Sequence, residues 1–94
     1  MEKTISREKL NRYFSITQEA LEKAGAALNK EQQEKADDFF DMASRYFKDA
    51  LFFAEKGDVV NAFAAVNYAH GWLDAGARIG LFQVRDSRLF TVDD

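Results

Sequence analysis

The sequence predicts an all-α fold: an up-down-up antiparallel three-helix bundle with a short extended C-terminal tail. Three observations carry this. Apolar residues recur at alternating steps of four and three along three successive segments, the period of one helix face and not of a strand. The segments are matched in length, about 22–26 residues or ~33–39 Å of helix each. The breaks between them are short, which makes consecutive helices antiparallel neighbours. With 94 residues and no proline, the chain reads as one domain over 1–94.

Helix one, residues 6–28, carries Leu10, Phe14, Thr17, Leu21, Ala24 and Leu28 on one narrow face. Thr17 is the weak member, although its methyl can pack. Gly25 costs about 1 kcal/mol of helix propensity relative to Ala, so the last turn is expected to fray or end early. Asn29 then serves as both a stop and an N-cap, with Gln32 in the capping-box position. Helix two, residues 31–56, repeats the rule with Ala36, Phe40, Ala43, Phe47, Ala50 and Ala54. Phe39, Tyr46 and Phe53 form a flanking row, and Leu51 widens the apolar arc further. An arc wider than the ~100° of an ordinary surface helix calls for two neighbours. Gly57 supplies the left-handed terminator and Asp58 caps the third helix.

Helix three, residues 59–81, turns Val59, Ala62, Val66, Ala69, Leu73, Gly76, Ala77 and Gly80 inward. Five of these eight are Ala or Gly, which lets helix axes approach while the phenylalanines of helix two fill the space opposite. Gly71, Gly76 and Gly80 are read as packing positions inside this helix. The tail, residues 82–94, differs in period. Leu81-Phe82-Gln83-Val84-Arg85-Asp86 recurs as Leu89-Phe90-Thr91-Val92-Asp93-Asp94. Such alternation suggests extended chain with Asp86-Ser87 as a turn. Three fates stay open for it: draped over the bundle by its two phenylalanines, donated as a strand to another chain, or disordered.

Charge narrows the function classes. Thirteen basic against sixteen acidic residues give a net charge of −3 with no basic stripe, which disfavours nucleic acid as a partner. Arg78, Arg85 and Arg88 are offset by Asp86, Asp93 and Asp94. Glu8 with Arg12, Glu19 with Lys23 and Glu31 with Lys35 have the favourable acid-before-base spacing of a wet helix face. Cysteine is absent, which excludes disulfides, thiolate metal sites and a Cys nucleophile. No apolar run approaches the roughly 18 residues of a membrane span. Met1 to Arg12 lacks the apolar stretch of a signal peptide, so the expected location is cytoplasmic.

The turn Gly57-Asp58-Val59-Val60-Asn61-Ala62 leads into Tyr68-Ala69-His70-Gly71-Trp72-Leu73-Asp74-Ala75-Gly76. This YAHGWLDAG string resembles the small archaeal family known as domain of unknown function 357, with the likeness running from about Tyr13 into the tail. The resemblance implies a compact helical bundle in an archaeal cytoplasm. It implies no activity, cofactor or catalytic residue.

Two surfaces stand out as candidate sites. Asn67, His70, Asp74 and Arg78 fall within roughly an 80° arc of helix three, and Asp74 is placed to orient the lone imidazole. This polar column reads first as an interhelical network, then as a recognition surface. Metal binding is weak, since two ligands fall short of the four of a structural zinc; the rest would come from Asp37, Asp38, Asp41 or Asp49. A hydrolytic triad would need Ser44, Ser15 or Ser6 near His70, with no nucleophile-elbow motif. No cofactor is expected. The second surface is aromatic: Tyr68, Trp72 and Ile79 on helix three with Phe52 on helix two, joined by Phe82 and Phe90 of the tail, exceed what a small core covers. The leading function is therefore a non-enzymatic interaction or scaffold module working through helix three and the tail. Its partner would be another protein or a second copy of the chain. The alternative is a small-ligand, metal-binding or hydrolytic site centred on His70 and Asp74.

Overall fold

A computed structural model describes residues 5–93. The first four residues of the charged N-terminal stretch, and Asp94 of the tail repeat, lie outside the described residues. The architecture is the expected three-helix bundle: α1 (Arg7–Gly25), α2 (Gln33–Glu55) and α3 (Val59–Arg78). It measures 46 × 25 × 18 Å along its principal axes. No described helix is long and apolar enough to cross a membrane.

Helix ends follow local chemistry. Ser6 caps α1 by accepting from the Lys9 N–H at 3.0 Å, and Asp58 caps α3 by accepting from the Asn61 N–H at 3.1 Å. Gly57 adopts φ 78, and its neighbours close α2 with the Gly57 N–H on Ala54 and the Asp58 N–H on Phe53. That is the paired closure of a left-handed helix terminus.

Three boundaries differ from the ranges read from the sequence. α1 stops at Gly25 and not at 28, the early end expected of that glycine; any other residue there would bring a Cβ to 2.9 Å from the Phe40 ring. Asn29 caps a single 3₁₀ turn, Lys30–Gln32, and α2 begins only at Gln33 without a side-chain cap. α3 ends at Arg78 and not at 81. Gly80 is its terminator, with φ 82, while the Leu81 N–H reaches back to the Gly76 carbonyl at 2.8 Å. Of the three glycines read as packing positions, only Gly76 acts so: a Cβ on it would lie 2.3 Å from Phe82. Gly71 faces open space.

α2 and α3 form the tight pair, and α1 lies chiefly against α3. The core runs as two stacked clusters. Leu10, Ala50, Ala62 and Val66 fill one end, walled by the Phe14–Phe47 edge contact at 5.6 Å. At the other end Ala20, Ala24, Leu73 and Ala77 leave a trough that the tail's Leu81, Phe82, Leu89 and Phe90 occupy. The tail is therefore draped over the bundle, the first of its three open fates. Among the described residues its two repeats do not pair with each other. The first bridges the α1–α2 connection, Leu28 to Phe82, with the Gln83 N–H on Ala27 and the Asn29 N–H on Leu81, both at 2.8 Å. The second comes after a turn in which the Leu89 and Phe90 N–H groups both reach the Asp86 carbonyl.

Candidate functional site

Polar groups inside an apolar interface need partners, since an unmet buried donor or acceptor costs about 1–3 kcal/mol. Thr17, the odd member of the α1 stripe, is 3% exposed. It faces the only histidine of the chain, on α3: Thr17 Oγ1 lies 2.9 Å from His70 Nδ1. The other ring nitrogen, Nε2, lies 2.6 Å from the Leu89 carbonyl oxygen in the tail. A carbonyl can only accept, so Nε2 carries the proton, and in the neutral ring Nδ1 accepts from the Thr17 hydroxyl. One helical turn on, Asp74 Oδ1 accepts from the Thr91 N–H at 2.9 Å and stands 3.8 Å from His70 Nε2. His70 and Asp74 thus form a clamp that holds the tail by its backbone, two residues apart.

An ionic cluster closes the same segment from the α1 side. Arg88 binds Glu19 at 2.7 Å and Asp86 at 3.2 Å, and Lys23 reaches Asp86 at 3.2 Å and Glu19 at 3.9 Å. Hydrogen bonding to Arg88 holds the Glu19 carboxyl below its ordinary range. Hydrogen bonding to Lys23, reinforced by Arg88, does the same for Asp86. The paired carboxylates raise Arg88 in turn. All three groups are solvent-accessible, so screening keeps the contribution small.

The rest of the predicted polar column does not join this network. Asn67 is exposed and donates to the Phe63 carbonyl of its own helix. Arg78 is exposed and borders a separate surface groove of about 630 Å³ with Gln83, Arg85 and Asp93. Beside the clamp is a cleft of about 220 Å³ between α1 and α3, lined by Tyr13, Ile16, Thr17, Asn67, His70 and Asp74. Both ring nitrogens of His70 are engaged, so the imidazole offers no free lone pair to a metal or a substrate proton. Among the described residues, no three His, Asp or Glu side chains converge to hold a metal ion.

The aromatic candidates divide. Phe82 and Phe90, expected at a partner surface, are instead core residues at 1% and 3% exposure. They fill the trough left by the small residues of α1 and α3. Phe52 is exposed near the end of α2, against Phe53 and beneath the Lys56 ammonium. Tyr68, Trp72 and Ile79 lie along α3. Tyr68 meets Tyr46 edge-on at 4.4 Å, and Trp72 meets Phe39 at 5.0 Å. With Gly71 and Ala75, the Phe39, Tyr68 and Trp72 rings line an apolar groove of about 330 Å³, and the buried Trp72 Nε1 has no hydrogen-bond partner among the described residues.

Sequence reasoning missed the Thr17–His70 pairing and the tail carbonyl beyond it. The signal available was one polar residue, Thr17, on the apolar stripe of α1 and a polar column at the edge of the α3 stripe, a combination that favours their meeting.

Fold and clamp together define the class: a small antiparallel helical bundle closed at one end by its own C-terminal segment. The chain belongs to DUF357, a family of proteins of unknown function, whose model matches residues 12–82. The match contains Thr17, His70 and Asp74, while the backbone groups they hold, on Leu89 and Thr91, lie beyond it. No curated protein and no solved structure matches the chain.

Proposed function

We propose that this chain is a helical protein-interaction module that docks through the outer face of α3. One observation carries the reading. Val60, Tyr68 and Ile79 are 66%, 52% and 59% exposed, although α3 has only two charged residues, Asp74 and Arg78. A helix that is apolar nearly all round belongs in the middle of an assembly, and α1 and α2 cover only part of it. His70 and Asp74 serve this reading indirectly, since the clamped tail supplies the core that holds α3 rigid.

The test is site-specific photocrosslinking in the cells that make the protein. A photoreactive residue at Ala75, on the outer face of α3, is expected to give discrete covalent protein adducts. The same group at Asn11, on the exposed side of α1, is expected to give none. Absence of adducts from Ala75, or equal labelling from both positions, overturns the reading.

A further inference from the structure

The outer face of α3 is a single stripe: Val60, Ala64, Tyr68, Gly71, Ala75 and Ile79. These six share roughly a 100° arc at 100° per residue and extend ~28 Å along the helix. All six are exposed. Their sizes read the same from either end. Val60 and Ile79 are the large outer pair, and Ala64 and Ala75 the small intermediate pair. At the centre the half-exposed Tyr68 ring, edge-on to Tyr46, lies next to a gap, Gly71, where a Cβ would meet nothing within 4 Å.

We infer that the partner of this face is a second copy of the chain, paired α3 to α3 antiparallel across a two-fold axis between Tyr68 and Gly71. This deepens the reading of α3 as a docking surface and rests on it. In that register Val60 opposes Ile79 of the other copy, Ala64 opposes Ala75, and each Tyr68 ring enters the gap over the opposite Gly71. A two-fold contact needs such self-complementarity, because the same patch serves both sides. Charge selects the same direction. The stripe is flanked by Asp58 at its start and Arg78 at its end. Along the axis, antiparallel pairing brings Arg78 within one turn of the opposite Asp58, the α3 cap, whereas parallel pairing sets like against like. Covering the stripe with a helix of ~10–12 Å diameter and its flanking rows removes on the order of 500–600 Å² per copy. The total of about 1,000–1,200 Å² is what a small specific interface requires.

The absence of cysteine makes the geometry directly testable. Ala64→Cys and Ala75→Cys proteins are prepared separately, mixed and oxidised. The antiparallel register predicts a disulfide dimer from the mixture and little from either variant alone, because equivalent positions lie ~16 Å apart along the axis. Sedimentation of the wild-type chain is expected to give twice the monomer mass. Gly71→Glu, whose Cβ meets nothing within 4 Å in its own chain, is expected to weaken association at least about tenfold with an unchanged circular dichroism spectrum. A wild-type chain that stays monomeric up to about 1 mM, where even a weak complex would form, overturns the inference. So does cross-linking of Ala64→Cys with itself. Photoadducts from Ala75 at a mass other than the dimer would retain the docking surface and reject the second copy. No adducts at all would reject both.

Discussion

Replacing Gly76 with alanine tests how the tail is seated. The added Cβ would lie 2.3, 2.8 and 3.0 Å from three atoms of the Phe82 ring, so the whole ring edge is in the way and not one movable tip. Phe82 is also pinned by its backbone, through the bridge to Leu28 and the Gln83 bond to Ala27. Overpacking of this kind costs about 1–3 kcal/mol, and the gain in helix propensity returns roughly 1. Gly71→Ala is the internal control. It brings the same propensity gain, into open space, and is expected to stabilise by about 0.4–1 kcal/mol. A separation of about 2 kcal/mol between the variants corresponds to roughly 8–16 °C in Tm for a domain of this size. Thermal and urea unfolding in dilute solution would measure it. A Gly76→Ala protein as stable as Gly71→Ala would refute the placement of Phe82 against α3.

The two halves of the aromatic set should separate equally clearly. Phe90→Ala removes a buried ring and is expected to cost about 3–5 kcal/mol, while Phe52→Ala should stay within about 0.5 kcal/mol; urea unfolding compares them. His70→Ala leaves the Thr17 hydroxyl and the Leu89 carbonyl without their partner, an expected loss of about 1–3 kcal/mol. Because Thr17 and His70 share one network, Thr17→Val combined with His70→Ala should cost less than the two singly. Acid should loosen the tail. Glu19 and Asp86 have folded pKa values lowered from 4.5 and 3.8. Their contribution is therefore complete above those ordinary values and is lost as pH falls through the lowered ones. Lower protection of the Arg88 and Leu89 amides on acidification, measured as exchange relative to the intrinsic rate at each pH and with the effect reduced in Arg88→Met, is the expected signature. Protection factors unchanged by Arg88→Met would remove the ionic cluster from the account.

Much of the fold was legible because helix periodicity and capping are local. The steps of four and three define the faces, and Ser6, Gly57 and Asp58 act within a few residues of where they stand. The places where the reading slipped are those where a distant ring intervenes. Gly25 looked like a weak helix residue, and its reason is Phe40. Gly80 looked like a packing position and is a terminator, because the chain must turn there to bring Phe82 back onto Gly76. In the candidate site, the spacing of four brings Asp74 to 3.8 Å from His70 Nε2, but the expected role of orienting the ring falls to Thr17 and the Leu89 carbonyl, and Asn67 and Arg78 share the arc without sharing the network. No spacing rule could supply Leu89 and Thr91, which bind through backbone groups that every residue type possesses.

By itself the sequence determined that there are three helices, each with an apolar face, and roughly where they turn. Only the tertiary structure decided which of the aromatic residues are spent inside. Phe82 and Phe90 are buried because small residues on α1 and α3 leave a trough that their tail can reach. Tyr68 and Ile79 stay outside because α1 and α2 have already taken the other sides of α3. Burial depends on what else competes for the same surface, a property of the packed assembly and not of any one segment.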